Sequence, residues 1–137
     1  MLTLDADAQH PPALLPDFLA ASARADLVLG CRMDDAAAMP WVRRQANRLS
    51  SRMVSMRAGR LIRDSQCGYR WISAEVLRRV ELRTERYETE SEILVRAARA
   101  GFRIEEIPIP ALYAGERSGI RKVPDALRFL RMLAELS

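Results

Sequence analysis

The sequence predicts an α/β fold, in which strands and helices alternate along a single domain of residues 1–137. Short apolar runs at residues 2–4 and 26–32 end in polar residues or glycine, which is typical of buried strands. Longer stretches at residues 11–22 and 123–136 repeat apolar residues every three or four positions, which is the period of a helix. The apolar content of 49% is sufficient for a hydrophobic core.

The first predicted strand ends in an acidic turn. Asp5, Asp7 and Gln9 follow it at alternate positions, and the turn closes with His10 and two prolines, which cannot continue a strand. Alternate residues of extended chain point the same way, so these three side chains can converge on one hard cation. Their oxygen atoms suit Mg²⁺ or Mn²⁺, at the strand end where open α/β sheets bind ligands. An aspartate that merely caps the next helix is the alternative explanation.

The second predicted strand brings an arginine to the same edge of the sheet. Residues 26–32 have the sequence Asp-Leu-Val-Leu-Gly-Cys-Arg, and Gly30 ends the apolar part of the strand. We therefore expect Arg32 to face the crevice that contains Asp5 and Asp7. An ordinary surface arginine is the alternative.

A strongly basic segment follows, because residues 36–63 contain seven arginines and no acidic residue. Within it, residues 41–58 carry an apolar face at helical spacing, of the kind that packs on a core. Arginines without nearby acidic partners favour an anionic ligand such as phosphate groups, anionic lipid or nucleic acid. The predicted apolar face consists of Val42, Ala46, Leu49, Met53 and Met56, and a separate stripe consists of Arg44, Arg48 and Arg52.

Polar residues precede a third predicted strand at residues 69–72. Asp64 can accept a proton or orient an arginine, and Gly68 permits close approach of the backbone, although a simple β-turn is the alternative. Glutamates then crowd the start of a helix that runs to residue 100, where the helix dipole favours them. Residues 102–109 form the last predicted strand, with Pro108 marking its edge or its end.

A basic loop and an amphipathic helix follow the last strand. Residues 114–122 contain glycines and basic side chains and are predicted to close over a phosphate. The helix at residues 123–136 is predicted to dock on the sheet or to lie against a membrane surface. Its predicted inward residues are Val123, Ala126, Leu127, Leu130 and Leu133, and its outward residues are Arg128 and Arg131.

Composition indicates a cytoplasmic protein. The chain has 22 basic and 18 acidic residues, a net charge of +4, and every basic residue except Lys122 is an arginine. Arginine recognises phosphate through two parallel hydrogen bonds. Cys31 and Cys67 have no metal-binding spacing and are expected to be reduced. No apolar run reaches the roughly 18 residues of a membrane span.

Taken in order, these motifs resemble an inverting glycosyltransferase of family 2, of the dolichyl- or polyprenyl-phosphate mannosyltransferase type. The resemblance implies a partial GT-A fold, with a mixed, mainly parallel sheet flanked by helices. The matching segments are residues 5–12, Gly-Cys-Arg at 30–32, Arg43 with Asn47, Asp-Ser-Gln-Cys-Gly-Tyr-Arg at 64–70, Glu90 with Glu92, residues 101–109, and Tyr113 with residues 117–120.

The resemblance implies transfer of a sugar, mannose or glucose, from a nucleotide-diphosphate sugar to a polyprenyl or dolichyl phosphate with inversion. It also implies contact with an anionic membrane surface at the cytoplasmic face. The implied metal ligands for Mg²⁺ or Mn²⁺ are Asp5, Asp7 and Gln9, and the implied donor-binding residues are Asp5, Arg117 and Ser118. Arg32, Arg43, Asn47 and Arg70 are implied to bind the acceptor phosphate, and Asp7, Asp64 and Arg32 to be catalytic.

Other interpretations stay open at this point. The family begins with a nucleotide-binding half that has no counterpart here, so we expect the later part of a GT-A domain that is inactive alone. A truncated, non-catalytic fragment is the alternative. A saccharide hydroxyl acceptor would need a base, either Asp64 or a glutamate at the helix start. A nucleic-acid-binding module is disfavoured, because the acidic turn at Asp5 and Asp7 would repel a phosphate backbone.

Overall fold

The computed structural model describes residues 1–5, 10–112 and 122–136, except for the side chains of Lys122 and Val123. This part of the chain has a mixed α/β fold, which confirms the predicted class. Short 3-10 helices at Pro12–Leu14 and Met33–Ala38 precede α1 and α2. The strands are β1 (Leu2–Thr3), β2 (Leu27–Cys31), β3 (Arg70–Ile72) and β4 (Ile104–Pro108), and the helices are α1 (Leu15–Ser22), α2 (Trp41–Ala58), α3 (Ala74–Arg79), α4 (Glu88–Arg99) and α5 (Lys122–Glu135).

The described strands form one sheet in the order β1-β3-β2-β4. Strand β3 is antiparallel to both of its neighbours, and only β2 and β4 are parallel, so the prediction of a mainly parallel sheet is wrong for this part of the chain. The reason is that the segment between α2 and β3 brings the chain into β3 at the edge where β1 and β2 end, since Arg70, the first residue of β3, lies opposite Thr3 and Leu29. That edge, here called the carboxyl edge, therefore gathers the ends of β1, β2 and β4, the start of β3 and the residues just before it.

The core lies around β2, which is buried along its whole length. Helix α1 packs on the sheet, α2 packs on α4, and α4 packs on α5. The predicted inward face of the last helix is confirmed only in part, because Leu133 is buried whereas Leu127 and Leu130 are exposed. The end of α5 makes the packing contact, through Met132 and Leu133 in the helix and Leu136 just after it. The side chain of Val123 lies outside the described residues.

Helix α2 has the predicted bounds but turns most of its predicted apolar face outward, and of that face only Met53 packs against the core. Val42, Leu49 and Met56 are 71%, 63% and 68% exposed. The buried side carries Asn47 and Ser51 together with Val54 and Ala58. The cause is the neighbouring segment 62–65, whose polar groups require hydrogen-bond partners that an apolar helix face cannot supply.

Among the described residues, no helix has the length and apolar character needed to cross a bilayer.

Candidate functional site

The carboxyl edge brings five of the predicted site residues into one region. Asp5 follows β1, Arg32 follows β2, Asp64 lies in the segment before β3, and Arg70 begins β3. The charges of Arg32 and Arg70 both act on Asp5, so these three side chains lie within electrostatic reach of each other. Asn47 reaches the same region from α2, whereas Asp7, Gln9, Arg117 and Ser118 lie outside the described residues.

Arg32 and Asp64 form the central ion pair of this region. Arg32 Nε and Nη2 donate to the two carboxylate oxygens of Asp64 at 2.8 and 2.9 Å, and the Arg32 backbone N–H donates at 3.0 Å. Asp64 is fully buried. Burial alone would raise the pKa of its carboxyl, but the hydrogen bonds and charge of Arg32 hold that pKa below the ordinary value. The pair therefore fixes the plane of the guanidinium group.

Asn47 acts on Asp64 in this structure. Its side-chain amide donates to Asp64 Oδ1 at 2.7 Å, and its own oxygen accepts from the Ser51 hydroxyl at 2.9 Å. Both residues lie on the buried side of α2. Arg43 is half-buried one helical turn before Asn47, on the same side of the helix. The buried polar face of α2 thus supports the Arg32–Asp64 pair through Asn47, and the same side of the helix carries a second arginine, Arg43.

Asp5 lies directly against the backbone of Gly68. A β-carbon at position 68 would fall less than 3.0 Å from the carboxylate of Asp5, so a larger residue there would displace it. His10 is buried, and its Nε2 contacts Asp5 Oδ2 at 3.1 Å. That hydrogen bond, against a smaller effect of burial, lowers the pKa of the Asp5 carboxyl. The Asp5 side chain is 48% exposed, so its ionised carboxylate faces solvent and can act as an oxygen ligand.

The donor chemistry of Asp5 fits Mg²⁺ or Mn²⁺, because both ions prefer ionised carboxylate oxygens. The absence of a β-carbon at Gly68 leaves room for this carboxylate at the carboxyl edge. Within the described ranges, no group of three or more His, Cys, Asp or Glu side chains converges as a metal site. The further expected ligands, Asp7 and Gln9, lie outside those ranges.

Arg70 is buried behind the segment that carries Asp64. Its guanidinium donates to Cys67 O at 2.8 Å and to Ser65 O at 2.9 Å, and it also bonds the Glu90 backbone oxygen. The Glu90 carboxylate pairs with Arg70 at 3.3 Å and remains 42% exposed. Burial raises the pKa of Glu90 above its usual value, with the charge of Arg70 opposing that change. Arg70 therefore joins the segment before β3 to the start of α4.

A shallow apolar groove lies beside the ion pair, between α2 and the segment after it. Its volume is about 330 Å³. It begins at Met33, next to Arg32, and extends to the exposed Leu61. Arg48 and Arg52 line one side and have no ion-pair partner in the part of the chain that the structure describes. Apolar walls with a cationic rim suit an amphiphilic anion.

Comparison with known proteins gives three relatives with related names. A dolichyl-phosphate hexose transferase of Haloferax volcanii is 34% identical over 125 residues, covering 90% of this chain and 53% of the relative. An undecaprenyl-phosphate mannosyltransferase of Micrococcus luteus is 33% identical over 115 residues, covering 80% and 47%. A UDP-N-acetylglucosamine–dolichyl-phosphate N-acetylglucosaminyltransferase of Methanococcus voltae is 31% identical over 119 residues, covering 82% and 47%.

The chain is similar to polyprenyl-phosphate glycosyltransferases. It spans about half the length of the curated relatives it matches. The three names agree on a dolichyl or undecaprenyl phosphate and differ in the sugar. No protein-family model matches the sequence.

Sequence reasoning missed two residues that shape this region. The sequence assigns His10 only to the acidic turn, yet its ring contacts and orients Asp5. It assigns Glu106 only to the last strand, yet this residue accepts hydrogen bonds from the backbone of Arg63 and Asp64. The nearness of His10 to Asp5 in sequence could have indicated the first contact. No local pattern indicates the second, because it joins residues more than forty positions apart.

Proposed function

We propose that this chain is part of a GT-A glycosyltransferase that moves a sugar, mannose or glucose, from a nucleotide-diphosphate sugar to a polyprenyl or dolichyl phosphate with inversion. The observation that carries the proposal is the Arg32 guanidinium, held in one plane by Asp64 at the edge of the sheet that also presents Asp5. This arrangement supports the proposal, because a guanidinium group suited to phosphate and a carboxylate suited to a divalent ion lie at one edge of the sheet. The names of the relatives support the same class of acceptor.

The state of Asp64 favours a phosphate acceptor. Its carboxylate is fully buried, has a lowered pKa and accepts hydrogen bonds from Arg32 and Asn47, so it is a poor proton acceptor. A phosphate monoester is ionised at neutral pH and needs no strong base to attack the anomeric carbon. We therefore propose that Asp64 orients Arg32 and takes no proton in the reaction.

A saccharide hydroxyl acceptor is the second candidate, and Glu90 is the observation in its favour. The side chain of Glu90 is 42% exposed and burial raises the pKa of its carboxyl, which are properties of a general base. In this alternative Glu90 removes the proton of the attacking hydroxyl.

On the donor side, we propose that Asp5, Asp7 and Gln9 hold Mg²⁺ or Mn²⁺, and that Arg117 and Ser118 join Asp5 in binding the donor. When bound, the ion neutralises negative charge that develops on the departing nucleotide. The hydrogen bond with His10 lowers the pKa of the Asp5 carboxyl, which favours the ionised form that a metal ion needs. Gly68 leaves the space in which the Asp5 carboxylate lies.

On the acceptor side, we propose that Arg32 and Arg43 bind the phosphate. The apolar groove that begins at Met33 would take the first part of the lipid, with Arg48 and Arg52 along its rim. Asn47 contributes to acceptor binding indirectly, because its side-chain amide donates a hydrogen bond that holds Asp64. We propose a supporting role for Arg70 as well, because its guanidinium already bonds the segment before β3 and the start of α4.

We also propose that the outward face of α2 rests on an anionic membrane surface at the cytoplasmic side. This face combines the exposed Val42, Leu49 and Met56 with the exposed arginines Arg48 and Arg52. Amphipathic helices of this kind bind a bilayer through buried apolar area and attraction to anionic lipid. Such contact would bring the site to a membrane-embedded acceptor.

The proposal is tested with the full-length natural protein that carries this sequence. Purified protein is mixed with a radiolabelled nucleotide sugar, Mg²⁺ or Mn²⁺, and either a polyprenyl phosphate or an oligosaccharide. We expect label only in the polyprenyl-phosphate product, and an excess of chelator should abolish transfer. Label in the oligosaccharide, lost in Glu90→Gln, would favour the second candidate instead.

Asp7→Ala tests the metal ligands in the same assay. We expect this variant to lose transfer at every metal concentration. Full activity of Asp7→Ala in excess chelator would remove the metal from the proposal.

A further inference from the structure

The segment before β3 is held by side chains from other elements. Every backbone N–H from residue 62 to residue 65 donates to a side-chain oxygen. The serines among these acceptors belong to α2, and the carboxylate belongs to β4. The bonds run from Ile62 to Ser55 Oγ at 2.9 Å, from Arg63 and Asp64 to Glu106 Oε1 at 2.8 and 3.1 Å, and from Ser65 to Ser51 Oγ at 2.9 Å.

Glu106 lies at the centre of this arrangement. One of its carboxylate oxygens accepts from two successive N–H groups, those of Arg63 and Asp64. Strand β4 is parallel to β2, with Glu106 opposite Leu29, three residues before Arg32. Glu106 therefore fixes the Asp64 backbone relative to the strand from which Arg32 extends.

Loss of this oxygen would leave two N–H groups without their acceptor. The cost of an unsatisfied buried donor is large enough to shift the segment toward other partners. A shift of Asp64 would turn Arg32, because Asp64 holds both Nε and Nη2 of that guanidinium. Displacements of about 1 Å at a binding group are enough to lower catalytic efficiency strongly.

We propose that Glu106 is a positioning residue, which sets the direction of the Arg32 guanidinium through the backbone of Arg63 and Asp64. This inference rests on the proposed function, in which Arg32 binds the acceptor phosphate. Glu106 contacts neither substrate in this scheme and acts only through Asp64.

Three substitutions in the full-length protein test the proposal, with the Michaelis constants of both substrates as the measurement. Glu106→Leu removes the accepting oxygen, and we expect the KM for polyprenyl phosphate to rise about tenfold while the donor KM stays within about twofold. Glu106→Gln keeps an accepting oxygen and should restore the wild-type acceptor KM. Glu105→Leu removes the same charge from the neighbouring position, where Glu105 pairs with Arg24, and should leave the acceptor KM unchanged.

A double-mutant cycle with Arg32→Lys separates positioning from a general structural role. Lysine keeps the charge but lacks the planar fork that Asp64 orients. We expect Glu106→Leu to raise the acceptor KM only slightly further when Arg32 is already lysine. An equal fold-change in both backgrounds, or an equal rise in the donor KM, would overturn the proposal.

The NMR signal of the Arg32 Nε–H gives a readout that does not depend on activity. We expect this signal to move or broaden in Glu106→Leu and to keep its wild-type position in Glu106→Gln and Glu105→Leu. An unchanged signal in Glu106→Leu would overturn the positioning role even in an active enzyme. A changed signal in a protein that transfers no sugar would leave the positioning intact and reject the proposed function alone.

Discussion

The carboxylate of Asp5 occupies the space that a side chain at Gly68 would fill. The contact joins the residues after β1 to the segment before β3, and the Asp5 side chain remains 48% exposed. The hydrogen bond with His10 lowers the pKa of this carboxyl. The glycine at this position therefore has a defined geometric role.

Gly68→Ala should weaken metal-dependent activity. The added β-carbon displaces Asp5, so we expect the metal concentration for half-maximal sugar transfer to rise about tenfold, as for other changes beside metal ligands. The measurement is a titration of the full-length enzyme with Mn²⁺, accompanied by a thermal unfolding curve. An unchanged half-maximal concentration in a folded variant would exclude Asp5 as a ligand.

Asp64→Ala should destabilise the fold. The substitution leaves the Arg32 guanidinium, whose side chain is only 11% exposed, without its buried partner, and we expect a loss of about 3 kcal/mol in the free energy of unfolding. Urea unfolding followed by circular dichroism measures this value. Glu75→Ala, which breaks an exposed pair with Arg78, is the matched control and should leave the midpoint unchanged.

Asp64 should also contribute to the acid sensitivity of the fold. Its pKa is lower in the folded protein than the ordinary value of 3.8, so its contribution to stability is fully present above about pH 3.8 and is lost as the pH falls through the folded pKa. We expect the free energy of unfolding to fall with decreasing pH in this window, and to fall less steeply in Asp64→Asn. Equal slopes for both proteins would contradict the lowered pKa.

Arg32→Ala should raise the acceptor KM much more than the donor KM, because Arg32 is proposed to contact the lipid phosphate. Steady-state kinetics with each substrate varied in turn measures both constants. The reverse pattern would assign Arg32 to the donor diphosphate.

Leu49→Ser should separate membrane binding from stability. Leu49 is 63% exposed, so we expect an unchanged unfolding midpoint and about tenfold weaker binding to vesicles that contain anionic lipid, measured by sedimentation. Leu77→Ser on α3, where the side chain is 42% exposed, is the control and should bind like the wild type. Vesicle binding that does not change in Leu49→Ser would remove the outward face of α2 from the membrane contact.

Local patterns in the sequence predicted the bounds of α2 but not its orientation. The helical period is a local signal and gives residues 41–58 correctly, and in the structure the helix ends at Gly59, whose backbone is left-handed with φ of 69°. The choice of the buried face depends on Asn47 and Ser51, whose partners lie in the segment after the helix. The hydrogen-bond partners that the neighbouring segment requires outweighed the hydrophobic period of the helix. No sequence pattern within the helix indicates this requirement.

The candidate site was predicted as separate residues and not as a network. The sequence indicated Arg32 at a strand end, and it indicated that Asp64 could orient an arginine. Their pairing across 32 positions depends on β3 running against both of its neighbours, which short apolar strands do not reveal. The contact of Glu106 with the backbone of Arg63 and Asp64 spans a still longer separation and has no sequence signal.

The dependence of residues 62–65 on acceptors from α2 and β4 has a consequence for biosynthesis. A chain leaving the ribosome has both members of the Arg32–Asp64 pair long before Glu106 has been translated. The final shape of this segment must wait for β4, because Glu106 accepts the backbone hydrogen bonds of Arg63 and Asp64. The candidate site at the carboxyl edge therefore forms late. Translation that stops before residue 106 should yield a product in which this site is not formed.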